Sequence, residues 1–191
     1  GRFMQEACQE KPGAMVSVIG LGQESLQEIC REAGVEIANL NSPEQTVLSG
    51  EKARVAEAEV LAKAAGAKRT VVLKVAGAYH SQLMASAQPK LQAALAVIPI
   101  ELPNVPVISN VTAQPHGAPG DIHRRLVAQV TSSVRWEDSM RYLLAQGFTR
   151  FIELGPGKAL SGFMKRIDGN AQMLNVADVA SLEATSKALP D

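Results

Sequence analysis

Long apolar runs are missing from this sequence. None approaches the ~20 residues that a membrane-spanning helix needs, and nothing near the start reads as a secretory signal. A surplus of either charge is missing too. Lys and Arg number 19, as do Asp and Glu, so no net field draws the chain to nucleic acid or to a membrane surface. Aromatic residues make up only 4%, which leaves few rings to stack on unpaired bases. Cysteine occurs twice, at Cys8 and Cys30, and neither has metal-ligand spacing around it. Free thiols fit a reducing cytoplasm, and no metal is expected. What remains is a chain of 191 residues, 46% apolar and 20% charged, the composition of a soluble globular protein of one domain or two small ones.

Periodicity and turn residues predict an ordered series of elements. Residues 1–7 read as the end of a helix, and the chain is expected to be a piece of a longer protein. Apolar, β-branched runs predict strands over 14–21, 35–40, 45–49 and 68–75. Helical spacing predicts helices over 23–33 and 51–65, each closed by a glycine, with Val55, Ala58, Val60, Leu61 and Ala62 on the apolar face of the second. Asn41-Ser42-Pro43-Glu44 reads as a turn. Strand, helix, strand, strand, helix, strand is the split βαβ order of a ferredoxin-like unit. Beyond residue 80 the pattern predicts a helix over 81–97, its inward side carrying Leu83, Met84, Leu91, Leu95 and Val97, with a kink at Pro89. A strand over 105–111 follows, then helices over 121–130 and 136–146. A strand over 148–154 runs into Gly155-Pro156-Gly157, and a helix (158–167), a short strand (173–176) and a final helix (181–189) complete the series. Strands alternating with helices point to a parallel α/β layer. The expected division is 1–13, the end of a core helix and a linker; 14–75, the ferredoxin-like unit; and 76–191, part of an α/β core.

One stretch has the look of a site. Gly77-Ala78-Tyr79-His80-Ser81 joins a predicted strand to a predicted helix, with Ser81 as its N-cap. His80 at such a turn is placed to serve as a general base near neutral pH. Its expected partner, a serine with glycines two residues to either side, is not found at any serine of the chain. The Gly155–Gly157 loop opens a helix and reads either as an anion cradle or as tight packing. Gln129, on a predicted helix, reads by spacing alone as ordinary surface.

Ordered strings carry more. RFMQEA at 2–7, PGAM at 12–15, NLNSPEQTVLSG at 39–50, AAGAKR at 64–69, GAYHSQLM at 77–84, PVISNVT at 106–112, LVAQVTSSVRW at 126–136 and ELGPGKALSGFMKRI at 153–167 occur in one collinear set. Together they resemble the malonyl-CoA:acyl carrier protein transacylases, an acyltransferase family of bacterial fatty-acid synthesis. The resemblance implies an α/β-hydrolase-like acyltransferase core, incomplete here, with an inserted ferredoxin-like βαββαβ subdomain. It also implies that the nucleophilic serine, in its glycine-flanked elbow, and an arginine for the malonyl carboxylate fall outside these residues, so that the chain alone is inactive.

In that family's pattern His80 is the base, and the backbone carbonyl at Gln129 orients it. Tyr79 fills the space that a methyl branch on the substrate would need, and Asn41 and Asn39 face the cleft. The Gly155–Gly157 loop becomes a packing feature. Malonyl-CoA and phosphopantetheinylated acyl carrier protein are the implied substrates and partners. No bound cofactor, metal, nucleic acid or membrane is implied, and the whole enzyme is expected to be a cytoplasmic monomer. Two alternatives stand beside this reading: an acyltransferase domain of a polyketide or multifunctional fatty-acid synthase, and, more distantly, a non-catalytic carrier-docking or regulatory ferredoxin-like module.

Overall fold

The structure, a computed structural model, describes residues 1–189; Pro190 and Asp191, at the end of the expected third segment, lie outside the described residues. The chain divides into two compact units, 1–139 and 140–191.

The first unit is built on a four-stranded antiparallel sheet in the order β2-β3-β1-β4. Its strands are β1 (Gly13–Ile19), β2 (Glu36–Ser42), β3 (Gln45–Glu51) and β4 (Arg69–Val72). Helix α1 (Arg2–Glu10) precedes them, and α2 (Gln23–Ala33) and α3 (Lys52–Ala64) intervene. This is the ferredoxin-like unit that the strand and helix order predicts. Gly34, at φ 67°, ends α2 in the left-handed conformation that a residue without Cβ adopts cheaply.

Both sheet faces are covered, which explains why β1 reads as a near-continuous apolar run. Val16, Val18 and Leu48 join Leu26, Ile29, Val55 and Ala58 in the core beneath α2 and α3. Met15, Ala38 and Val47, at alternate positions, form a second cluster against which Leu73 and Tyr79 pack. Val60, expected on the apolar face of α3, is 65% exposed. It lies off the stripe that Val55, Ala58 and Ala62 present to the sheet. Asn41 and Ser42 belong to β2, and the turn is confined to Pro43 and Glu44.

The helix predicted over 81–97 is two pieces: a single 3-10 turn, Gln82–Met84, and α4 (Ala87–Ala96). Pro89 sits in the first turn of α4, where a missing N–H costs nothing, so it introduces no kink. Val97 caps the end of α4 and is exposed rather than inward. The strand predicted over 105–111 does not form. Only an isolated bridge, Ile108 to Pro115, marks it, since Pro106 removes a ladder donor from an already short run. Helix α5 (Pro119–Ala128) follows, and α6 is Trp136–Ala145.

In the second unit, β5 (Arg150–Leu154) pairs in parallel with β6 (Gln172–Val176), with α7 (Ala159–Ile167) as the crossover. Helix α8 (Val179–Ala188) is set by a capping box of Asp178 and Ser181. No helix among the described residues is long and apolar enough to cross a membrane.

Candidate active site

After β4 the chain crosses an irregular stretch into Gly77-Ala78-Tyr79-His80. Two close approaches hold it down. A Cβ on Gly77 would lie 2.3 Å from Cys8 Sγ of α1, and a Cβ on Gly13 would lie 2.5 Å from that of Ala78. Glycine at both places lets α1 and the start of β1 close on the loop. His80 then takes φ 60°, a left-handed conformation that few non-glycine residues adopt and that marks many functional turns.

This backbone reversal aims the imidazole at the end of α5. His80 Nδ1 lies 3.1 Å from the backbone oxygen of Gln129, the C-cap residue of that helix. The Gln129 side-chain amide is farther, 3.4 Å from the same nitrogen, and donates instead to Ser132 O at 2.8 Å. A carbonyl only accepts, so the shorter contact assigns the imidazole proton to Nδ1 and leaves a lone pair on Nε2. That is the tautomer a general base needs. His80 and Gln129 also border a cavity of about 210 Å³ whose other walls include Phe3, Met4, Leu91 and Leu126.

Strand β2 fixes both partners of this pair. Its outer edge receives the segment after Gln129: Leu40 N donates to Val134 O at 2.9 Å, and Val134 N to Ala38 O at 2.8 Å. Ser133 Oγ adds a bond to Ile37 O. At the start of β2, Glu36 Oε1 accepts from Gln82 N at 2.8 Å, two residues beyond His80. The edge strand is thereby covered, and the ferredoxin-like sheet becomes the template on which the His80 imidazole and the Gln129 carbonyl meet. Sequence reasoning missed this role of Glu36, Ser133 and Val134. Their contacts span 46 or more positions, and no local pattern announces them.

Tyr79 is wedged between two apolar clusters, one containing Cys8 and Met84 and the other Met15, Ala38 and Val47. Burial raises its hydroxyl above the usual phenol range, and hydrogen bonding with Cys8 adds to the effect. Asn39 pairs with Val47 in the ladder and bridges Val134, and Asn41 is buried near the end of β2. Among the described residues His80 hydrogen-bonds to Gln129, and neither asparagine reaches it.

Neither cysteine is placed as a nucleophile. Cys8 is buried, and burial pushes the Cys30 thiol up to about 11, with Glu36 adding to the rise.

In the second unit the helix that follows the Gly155–Gly157 loop already has a carboxylate at its N-terminus. The Glu153 carboxylate accepts from Leu160 N at 3.1 Å and Ser161 N at 2.9 Å, and from Ser161 Oγ. The amides that open α7 are thus taken by the protein's own carboxylate. Burial opposes its ionisation, but these bonds outweigh burial and hold Glu153 below the usual carboxylate range.

The model of the acyl transferase domain matches residues 1–183. The chain belongs to the acyl transferase domain family. The malonyl CoA-acyl carrier protein transacylase of Bacillus subtilis (strain 168) is 41% identical over 196 residues, an alignment covering 100% of this chain and 62% of that protein. The solved malonyl-CoA:acyl carrier protein transacylase of Xanthomonas oryzae matches with a TM-score of 0.95 at 36% identity, over 100% of this chain and 62% of its own. A structure of a type II PKS acyl-carrier protein in complex with its malonyl-transacylase also reaches 0.95, at 38% identity, over 98% of this chain and 62% of that one. This acyl transferase chain therefore spans about 62% of the length of these relatives. Its fold is an incomplete α/β-hydrolase-like acyltransferase core with an inserted ferredoxin-like subdomain, as the resemblance implies.

Proposed function

We propose that this chain is the base-bearing part of a malonyl-CoA:acyl carrier protein transacylase of fatty-acid synthesis. The observation that carries the proposal is the His80 Nδ1 contact to a backbone carbonyl, 3.1 Å, in a chain of the acyl transferase family. His80 Nε2 takes the proton from a serine hydroxyl supplied by sequence outside these 191 residues, and the serine oxygen attacks the malonyl thioester carbonyl. The tetrahedral intermediate collapses as the C–S bond breaks, and the imidazolium returns its proton to the departing coenzyme A sulfur. In the second half the phosphopantetheine thiol of the carrier protein gives its proton to His80. Its sulfur attacks the acyl-serine, and the serine leaves with that proton.

The Gln129 carbonyl holds the ring through both halves. A carbonyl stabilises the imidazolium less than a carboxylate would, so orientation is its larger contribution. Tyr79 limits the space beside the substrate's α-carbon, and Asn41 and Asn39 line the insertion side of the cleft. The proposal includes the division into 1–13, 14–75 and 76–191, a cytoplasmic monomeric enzyme, and a route that uses no bound cofactor. An acyltransferase domain of a polyketide synthase would use the same residues. The type II PKS carrier held by one structural neighbour favours keeping that reading second.

The test is transfer of labelled malonyl from malonyl-CoA to phosphopantetheinylated carrier protein by the full-length protein containing this chain. The expected loss on His80→Ala is about 10²- to 10⁴-fold, the usual contribution of general acid–base catalysis. Transfer that is unchanged in the variant, or absent in the parent, would contradict the proposal.

A further inference from the structure

We propose that Ser81 is a positioning residue for His80, an inference that rests on the base role given above. Ser81 is fully buried. Its Oγ donates to Ala78 O at 2.7 Å and accepts from Leu83 N at 3.3 Å. One side chain thus ties the backbone before His80 to the backbone after it. The residue it brackets is the one held at φ 60°, a conformation that persists only where surrounding contacts over-determine it.

Glu36 completes the arrangement by accepting from Gln82 N. The amides of Gln82 and Leu83 and the carbonyl of Ala78 are therefore all satisfied by side chains, and each bond favours the same reversal. Released from Ser81, the turn can relax toward an ordinary right-handed backbone. The imidazole is then no longer directed at Gln129 O, and Nδ1 loses the acceptor that fixes its proton.

The same geometry excludes a role for Ser81 as a nucleophile beside its neighbouring base. Its hydroxyl proton is committed to Ala78 O. Its side chain has no exposed surface, and it does not line the cavity that His80 borders. Ser81 acts through His80.

The experiment compares Ser81→Ala, Ser81→Thr and Ser139→Ala in the full-length transacylase containing this chain. Ser139 is another buried serine, 2% exposed, whose Oγ bonds one turn back to Arg135 O, so it controls for the loss of a buried hydroxyl as such. Long-range 1H–15N spectra of the His80 ring report the tautomer, and steady-state kinetics report kcat and KM separately.

Wild type and Ser139→Ala are expected to show a fixed Nδ1–H form. Ser81→Ala is expected to show tautomer averaging, with kcat lowered about 10- to 100-fold, the scale of an ångström-level misplacement, and KM little changed. Ser81→Thr, which keeps the hydroxyl, is expected to restore the fixed tautomer. An unaltered His80 spectrum in Ser81→Ala overturns the proposal, as does an equal change in Ser139→Ala. A wild-type protein that transfers no malonyl group would instead contradict the transacylase reading, while the ring spectra still decide Ser81.

Discussion

In the proposed reaction Gln129 acts through an atom that every residue possesses. Its carbonyl accepts the hydrogen bond from His80 Nδ1, while its amide is spent on Ser132 O at 2.8 Å. Gln129→Ala should therefore lose one neutral hydrogen bond, worth about 0.5–1.5 kcal/mol, and slow transfer by no more than about tenfold. A loss as deep as that of His80→Ala in the same transfer assay would show that the side chain is essential and contradict the backbone assignment. Tyr79 makes a second test. One methyl is worth about 1–3 kcal/mol in a pocket, so Tyr79→Ala should raise methylmalonyl transfer relative to malonyl by about tenfold or more in a competition assay. An unmoved ratio would remove Tyr79 from substrate choice. At this scale His80 stands out in the sequence between a predicted strand and a predicted helix, although the strand ends at Val72 and only a 3-10 turn follows. Gln129 does not: its partner lies 49 positions away, spacing alone reads it as ordinary surface, and only the family resemblance singles it out.

Elements differ in how much of their cause is local. Helix α2 was legible to the residue because its apolar spacing and its Gly34 stop are both written in its own sequence. The break between the 3-10 turn and α4 was not, because side chains from elsewhere, Glu36 among them, hold the turn that interrupts the helix. Helix α7 yields a prediction of this scale. Glu153 caps its first amides from inside the protein, so Glu153→Ala should destabilise the fold by about 0.5–2 kcal/mol at neutral pH. The sign with pH follows from its depressed pKa. An unfolded Glu153 titrates near 4.5, and the folded one titrates below that. The stabilisation is therefore complete above the unfolded value and disappears as pH falls through the folded one. Denaturation of parent and variant should differ at pH 7 and converge in strong acid. A difference that grows on acidification would contradict the capping role.

Across the whole molecule, the ferredoxin-like sheet is scaffold and site wall at once. One face holds the helices, the other packs Tyr79, and the β2 edge ties down the segments carrying His80 and Gln129. Elsewhere large apolar side chains stand in solvent: Val97 at 83%, Leu154 at 77% and Val179 at 73%. Exposure of this kind, if contiguous, drives association, so this chain expressed by itself should self-associate in light-scattering chromatography. A monodisperse monomer would contradict that expectation.

The central claim is that His80 is the base for a malonyl-serine intermediate, and intact-mass spectrometry tests it most directly. The full-length parent and its His80→Ala variant would be mixed rapidly with malonyl-CoA and quenched over a time course. The account predicts a malonyl adduct that forms within the first time points in the parent and about 10²- to 10⁴-fold more slowly in the variant. No adduct in the parent, or equal rates in the two, would contradict it.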